Sequence, residues 1–392
     1  MISVSEAKAQ IKAHTIRLEP VDLDLSEAAG HVLANDIYAQ QDIPAFRQSS
    51  MDGYALRFSG QQARLKISGE MAAGASSPFL LGEGEASRIF TGAPLPDGAD
   101  TVIMQEKVTV DNGEIILQDS NLKKGLNARE KGSEIKAGEL AMLSHSLLSP
   151  AAIGFLAGIG VTKVSAYPMP KVSIILTGKE LQKPGSDLAF GQVYESNSYS
   201  LSAALRSEGI KNINIFDADD DLHTLIEVLK KAVAVADVIL LTGGVSVGDY
   251  DFVIEACRQC QIEQVFHKVK QKPGKPLYFG KQDHKLIFGL PGNPSSVLSC
   301  YYNYVLPSLK QLSGKENSVK ELTAELGSAC SKTAGLTHFL KGIYKDGKAS
   351  PLHAQESYRL SSFAQANCLI CLPEDGIEFK AGESVNILRL PD

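Results

Sequence analysis

The sequence predicts a multidomain α/β plus β protein, organised around a central doubly wound, mostly parallel α/β domain. Three observations carry this. From about 168 to 314, apolar strand-like runs alternate with helix-period stretches, the signature of a parallel sheet covered on both faces. On either side that alternation gives way to short apolar runs punctuated by glycine-rich turns, which reads as small β-domains. The chain has 392 residues, more than one hydrophobic core organises.

The chain opens with Ser3-x-x-Glu6, a capping box that starts a short helix. A second helix is expected from Ser26 to about Asn35-Asp36, followed by an irregular stretch at 43–55. In the next segment, Thr101–Val110 and Glu114–Leu117 flank Asp111-Asn112-Gly113 and read as a β-hairpin. Leu147–Val161 is the most apolar stretch, and Ser149-Pro150 gives it an N-cap and first helical position. It is too short to span a bilayer and reads as a buried helix. These features define an N-terminal helical and linker region at 1–52 plus 138–167, interrupted by an inserted β-domain at 53–137.

The α/β domain, 168–317, is read as strands at Lys171–Leu176, Ile213–Phe216, Asp237–Leu241 and Val265–Val269. A final pair, Leu277–Phe279 and Lys285–Phe288, turns at Gln282-Asp283. Helices are expected at Leu201–Glu208, Leu222–Val235, Phe252–Cys260 and Pro294–Leu312. A C-terminal β-domain, 318–392, holds strands at Leu322–Leu326, Phe339–Tyr344, Asn367–Leu372 and Ser384–Leu390.

Composition narrows the function. A net charge of −6 argues against general nucleic-acid binding. The first residues acquire charge before any apolar stretch, so neither a signal peptide nor a membrane segment is expected, and the chain reads as cytoplasmic. Six cysteines include Cys257/Cys260 and Cys368/Cys371 at C-x-x-C spacing. The first pair falls in a helical pattern and the second in a strand, where the two would face opposite sides. Neither offers a zinc knuckle, and reduced buried thiols are the simpler account.

Ligands of open α/β sheets bind beyond the carboxyl ends of the strands. Four unusual sequences fall there: Thr177-Gly178-Lys179-Glu180, the aspartates Asp217, Asp219, Asp220 and Asp221, TGGVSVGDYD (242–251), and Gly289–Pro294. Singly each has an ordinary reading. Asp221 could cap the following helix, and Pro-Gly-Asn-Pro is commonly a turn. Together they suit one ligand. Thr242, Gly243, Gly244 and Ser246 offer hydroxyls and backbone N–H groups to an anion. Glu180, Asp220 and Asp251 offer oxygen ligands to a hard divalent cation. Lys268, Lys270, Lys272 and Lys275 supply counter-charge around Lys-Pro-Gly-Lys-Pro, whose prolines hold it outside regular pairing.

SSMDGYA (49–55), IFTGAPLPDGADTVIMQE (89–106), TGGVSVGDYD, KPGKP (272–276) and GLPGNPSS (289–296) resemble, in order, the molybdopterin molybdenumtransferases, relatives of the gephyrin C-terminal domain. The resemblance covers essentially the whole chain. It implies a homodimer of four-domain subunits that converts adenylylated molybdopterin and molybdate to molybdenum cofactor and AMP with a divalent metal, usually Mg²⁺. By matching motif it implies catalytic roles for Asp52, Thr91, Glu180, Asp220, Asp251, Lys268, Lys272 and Lys275, with Glu180, Asp220 and Asp251 on the metal. Substrate contacts are implied at Gly243, Gly244, Ser246, Pro291, Asn293, Pro294, Ser295, Arg129 and Glu134. The MDGYA and TGAP segments of one subunit are expected to complete the site of the other. Other proteins of cofactor synthesis are expected as partners, and neither nucleic acid nor membrane.

The chain departs from the family pattern at Lys179, where an acid is common, at Glu130 in place of arginine, at Glu134 in place of Asp, and at His267 in place of an aromatic. Rival readings are a tungstate-inserting paralogue, a molybdopterin adenylyltransferase and a non-catalytic scaffold. The adenylyltransferase is disfavoured by Val245-Ser246 in the glycine loop and by the long flanking segments.

Overall fold

The computed structural model describes residues 1–60, 63–77, 79–219, 221–244 and 252–391. The chain divides into two compact units, one formed by 1–22, 30–32 and 165–392, the other by 23–29 and 33–164.

Helix α1, Val4–His14, opens the first unit. Ser3 Oγ accepts the Glu6 N–H at 3.2 Å and the Glu6 carboxylate accepts the Ser3 N–H at 2.7 Å, so the capping box forms as expected. Ala7 and Ile11, one turn apart, bury into the main core.

The second unit holds a six-stranded sheet. Its strands are β1 (Gly53–Leu56), β2 (Arg64–Met71), β3 (Glu85–Ile89), β4 (Thr101–Met104), β5 (Val108–Asp111) and β6 (Glu114–Leu117). They run in the order β4-β1-β3-β2-β6-β5. The hairpin closes at Asn112 and Gly113, both at positive φ (47° and 81°), the two-residue turn that Asn-Gly favours. The expected long first strand is broken by a 3₁₀ turn at Gln105–Lys107. Gly53 is obligatory: a Cβ there would lie 1.9 Å from the Ile103 carbonyl oxygen.

Two expectations in this region are corrected. The helix from Ser26 is a single 3₁₀ turn, Leu25–Glu27, followed by short strands at Val32–Leu33 and Ile37–Tyr38. Gly30 at φ 79° interrupts any helix there. Helix α2, Pro150–Gly158, is capped by Ser149 as expected, but it buries only Ala152 and Leu156 and is a surface helix.

In the first unit, β7 (Val172–Thr177), α3 (Asn197–Ser207), β8 (Ile213–Ala218), α4 (Leu222–Val235), β9 (Val238–Thr242) and α5 (Val253–Gln259) are followed by β10 (Glu263–His267), β11 (Tyr278–Gln282) and β12 (Lys285–Leu290). The sheet order is β8-β7-β9-β12-β11-β10; the first four strands are parallel and the last two antiparallel. Alternation along β7 explains the two layers. Val172, Ile174 and Leu176 enter the core that contains Leu201 and Leu205 of α3, whereas Ile175 enters the core that contains Leu225 and Leu229 of α4. The expected last helix is interrupted. Helices α6 (Pro294–Cys300) and α7 (Leu306–Leu312) are joined by a π-helical segment, Tyr301–Val305.

The C-terminal strands are β13 (Lys320–Leu326), β14 (Thr337–Lys345), β15 (Lys348–Pro351), β16 (Cys368–Leu372) and β17 (Ser384–Arg389), with the short helix α8 (Leu360–Phe363) between β15 and β16. Pairing of β14 with β16 closes the order β14-β15-β13-β17-β16 into a barrel. The fold is thus the multidomain α/β plus β class that the sequence predicts. All six cysteines are free. Burial pushes Cys257 and Cys371 up to about 12 and Cys368 up to about 11, away from reactive thiolate. Cys368 and Cys371 lie in different cores, on opposite faces of β16.

Candidate functional site

The register of the parallel strands builds the site. Leu176 pairs with Asp217 and with Thr242, and Thr242 pairs with Leu290, so β8, β7, β9 and β12 all end at one level. The four special sequences leave the sheet there. A cavity of about 660 Å³ is lined by Thr177, Glu180, Asn197, Gly244, Asn293 and Pro294 among others. A second, of about 1110 Å³, is lined by Lys179, Asp217 and Asp219 and shares Gly178, Leu181 and Glu195 with the first. Both volumes suit ligands of cofactor size.

Glycine is required where β9 bends away. Gly243 and Gly244 sit at φ 87° and 64°, and a Cβ on Gly243 would lie 2.8 Å from Thr177 Oγ1. The Gly243 N–H donates to the Leu290 carbonyl at 3.1 Å, so that donor serves the fold and not an anion, contrary to expectation. Three buried polar atoms around this bend have no partner among the described residues: Thr242 Oγ1, Asn197 Oδ1 and Ser295 Oγ. Leaving such atoms unpaired is costly, and a ligand at the strand ends would relieve it.

The Glu180 side chain is exposed on the cavity lining, its carboxylate oxygens 2.8 and 2.9 Å from where a Gly178 Cβ would project. It is the described member of the expected cation set; Asp220, Asp251 and Ser246 lie outside the described residues. No group of three metal-ligating side chains gathers among the described residues. A single hard carboxylate on a polar cavity wall fits the type of donor a divalent cation takes. Asp221 has the ordinary role: its carboxylate accepts the Thr224 N–H at 2.9 Å and caps α4.

The Lys-Pro-Gly-Lys-Pro segment does pair, contrary to expectation. Gln271–Lys272 joins β14 in parallel register, and Pro273, lacking an N–H, ends the pairing. Gly274, at φ 88°, fits because a Cβ would lie 2.5 Å from Cys300 Sγ. Lys272 and Lys275 are exposed, Lys268 is half-buried, and none of the three lines either cavity. Lys270 is engaged by Glu374 at 2.8 Å. Pro291 is buried and lines neither cavity, and Asn293 Nδ2, on the smaller cavity's lining, donates to Ser357 Oγ at 2.9 Å.

In the other unit, Asp52 and Thr91 form one constellation. The carboxylate of Asp52 accepts from the Thr91 N–H at 2.7 Å and from its hydroxyl at 2.9 Å. These bonds, the backbone one foremost, hold the exposed Asp52 carboxyl below its ordinary range, with a smaller contribution from Arg88. Arg129 pairs with Gln48 in a two-residue ladder, and Glu134 is exposed, its N–H donating to Ile43. Glu130 forms an ion pair with Arg47 at 3.2 Å.

Sequence reasoning passed over three lining residues. Glu195 accepts from the Ser198 N–H at 2.7 Å and hydroxyl at 2.6 Å, fixing the start of α3. Asn197 Nδ2 donates to the Gly292 carbonyl at 2.9 Å, tying two strand-end loops together. Polar residues clustered before a helix, Glu195-Ser-Asn-Ser198, were the available signal. Tyr358 reaches the smaller cavity from the C-terminal segment, with no local sequence signal.

Three family descriptions match the chain in order. They are the MoeA N-terminal region (domain I and II) at residues 2–160, a probable molybdopterin binding domain at 173–311, and the MoeA C-terminal region (domain IV) at 323–390. The chain is 34% identical to the molybdopterin molybdenumtransferase of a Nostoc species over 94% of its own length and 88% of the relative's. It is 32% identical to that of Staphylococcus epidermidis over 99% and 95%. The crystal structure of a molybdopterin biosynthesis moeA protein from Pyrococcus horikoshii superposes with a TM-score of 0.83 at 30% identity, covering 99% of each chain.

Proposed function

The chain belongs to the molybdopterin molybdenumtransferase family, transferases of molybdenum cofactor synthesis, and we propose that it inserts molybdate into adenylylated molybdopterin with release of AMP. The observation that carries this reading is the convergence of three strand-end loops on a polar cavity with unpartnered buried groups, Thr242 and Asn197, on its lining, and of the fourth loop, at Asp217 and Asp219, on the adjoining cavity.

Thr242, Gly244 and Asn197 hold the diphosphate and pterin by close approach and hydrogen bonds, with Ser246 as a further donor. Asn293 and Ser295 orient the substrate, with Pro291 and Pro294 keeping their loop rigid. Lys268, Lys272 and Lys275 provide counter-charge for molybdate and for the leaving AMP, since cleaving a diphosphate rests on charge stabilisation more than on a protein nucleophile. Glu180, Asp220 and Asp251 would hold Mg²⁺, which when bound neutralises phosphate charge. The active unit is a homodimer in which the partner's Asp52 and the partner's Thr91 complete the site, with Arg129 and Glu134 at the substrate's edge.

The test is AMP release from adenylylated molybdopterin and Mg²⁺, with and without molybdate. Molybdate-dependent AMP with molybdenum retained on the pterin is the expected result. Absence of AMP from the folded protein would overturn the reading in favour of a scaffold. AMP with tungstate alone would reassign the oxyanion. The shared site has its own test: mixing inactive Asp52→Asn and inactive Glu180→Gln protomers should restore activity, and mixtures that form mixed dimers but stay inactive would refute it.

A further inference from the structure

A third cavity, of about 550 Å³, lies between α1, the α6–α7 connection, the chain at 314–321 and barrel strand β17. It shares no lining residue with the strand-end cavities. Its lining is basic: Lys8, Lys12, Arg17, Lys310 and Lys315 face one acid, Glu321.

Ion pairing accounts for part of that charge. Lys8 meets Glu321 at 2.7 Å, and Lys310 meets Glu208. Arg17 lies over the Tyr167 ring at 4.7 Å and donates to its hydroxyl at 3.2 Å. Lys12 and Lys315 have no carboxylate within ion-pair distance among the described residues.

Nor is Lys12 needed as a helix cap. Gln311 Nε2 donates to the carbonyls of Lys12 at 3.1 Å and Thr15 at 2.7 Å, which satisfies the end of α1. Burial, then the neighbouring Lys310, pulls Lys315 down to about 8. Glu208, already paired with Lys310, offsets this only in part, so a half-buried ammonium beside another cation gains from a further negative charge.

Two further features define what would join it. Asn303 lines the cavity at 2% exposure; its Nδ2 donates to the Ser299 carbonyl at 2.9 Å, while its Oδ1 has no partner. Ile11, Pro307, Val319 and Leu388 form an apolar wall. We propose that this cavity binds a small organic anion, a carboxylate or phosphate ester on an apolar body that also carries an N–H or O–H group, with Lys12 and Lys315 holding the anionic end and Asn303 Oδ1 accepting from the N–H or O–H.

The experiment follows 8-anilinonaphthalene-1-sulfonate, an aromatic anion with one N–H donor, by fluorescence on the full-length protein. Phenyl phosphate and benzoate serve as competitors that separate the two head-group chemistries. Saturable binding displaced by either competitor is expected. Lys12→Gln, at an exposed position that folding tolerates, should weaken binding severalfold. Lys12→Gln with Lys315→Gln should weaken it by about tenfold or more, and Lys315→Arg should retain it. Displacement by neither competitor, or unchanged affinity in both Gln variants, would overturn the proposal.

Discussion

The closed C-terminal barrel and the carboxyl edge of the α/β sheet both bury polar groups, and they treat them in opposite ways. In the barrel, the Lys341 ammonium donates to the carbonyls of Ala354, Glu356 and Arg359, at 2.9, 3.3 and 3.0 Å. Lys332 likewise donates to Leu336 and Glu374 carbonyls, at 2.9 and 3.0 Å. At the sheet edge, Thr242, Asn197 and Ser295 each keep a buried atom without a partner among the described residues. Satisfied polar groups hold a chain path in place. Unsatisfied ones on a cavity lining, as at Thr242 and Asn197, or beside it, as at Ser295 next to the lining residue Pro294, are held ready for something that is not part of the chain.

Removing a satisfied group should have the largest effect. Lys341→Met leaves three carbonyls to find other partners and should cost about 3 kcal/mol of stability or more. Denaturant unfolding measures it; an unchanged midpoint would mean those contacts carry little.

The barrel has one described exception, His338, whose buried Nε2 is unpartnered. Burial first, then Lys332 and Lys272, lowers its imidazole from 6.5 to about 4. The folded barrel therefore resists a proton that the unfolded chain takes up. Its contribution to stability is complete above about 6.5 and lost as pH falls toward about 4. Melting temperatures should fall across that window, and His338→Gln should flatten the slope; an identical slope would contradict the assignment.

The smallest effect belongs to Asp52. Thr91→Val removes the hydroxyl bond but keeps the backbone one, so the Asp52 carboxyl should rise part of the way toward its ordinary value. Carbon-detected NMR titration reads this directly, and a full return to the ordinary value would show that the backbone bond contributes nothing.

Much of this was legible in the sequence because short-range chemistry governs it. The periodicity of Leu222–Val235 and its cap Asp221 give α4 with the bounds read from sequence. Asn112-Gly113 fixed the hairpin. Glu180, Gly243, Gly244, Asn293 and Pro294 meet on one cavity because parallel strands deliver their ends to one edge. What escaped depends on distant partners. The spacing of Ala28, Val32 and Leu33 imitates a helix that Gly30 forbids. Strand β15, Lys348–Pro351, carries no apolar alternation and exists through its pairing with β14. Gly243 reads as a free donor from its glycine-rich context alone, but its N–H donates to the Leu290 carbonyl. Glu195, Asn197 and Tyr358 enter the site only through tertiary packing.

The central claim is that the unpartnered atoms at the sheet edge serve a ligand and not the fold. The most direct test is the pair Thr242→Val and Ser295→Ala, measured for both denaturant stability and binding of adenylylated molybdopterin by titration calorimetry. The account predicts stability within about 1 kcal/mol of the parent, or higher, with affinity reduced roughly tenfold or more. Lost stability with unchanged affinity would contradict it.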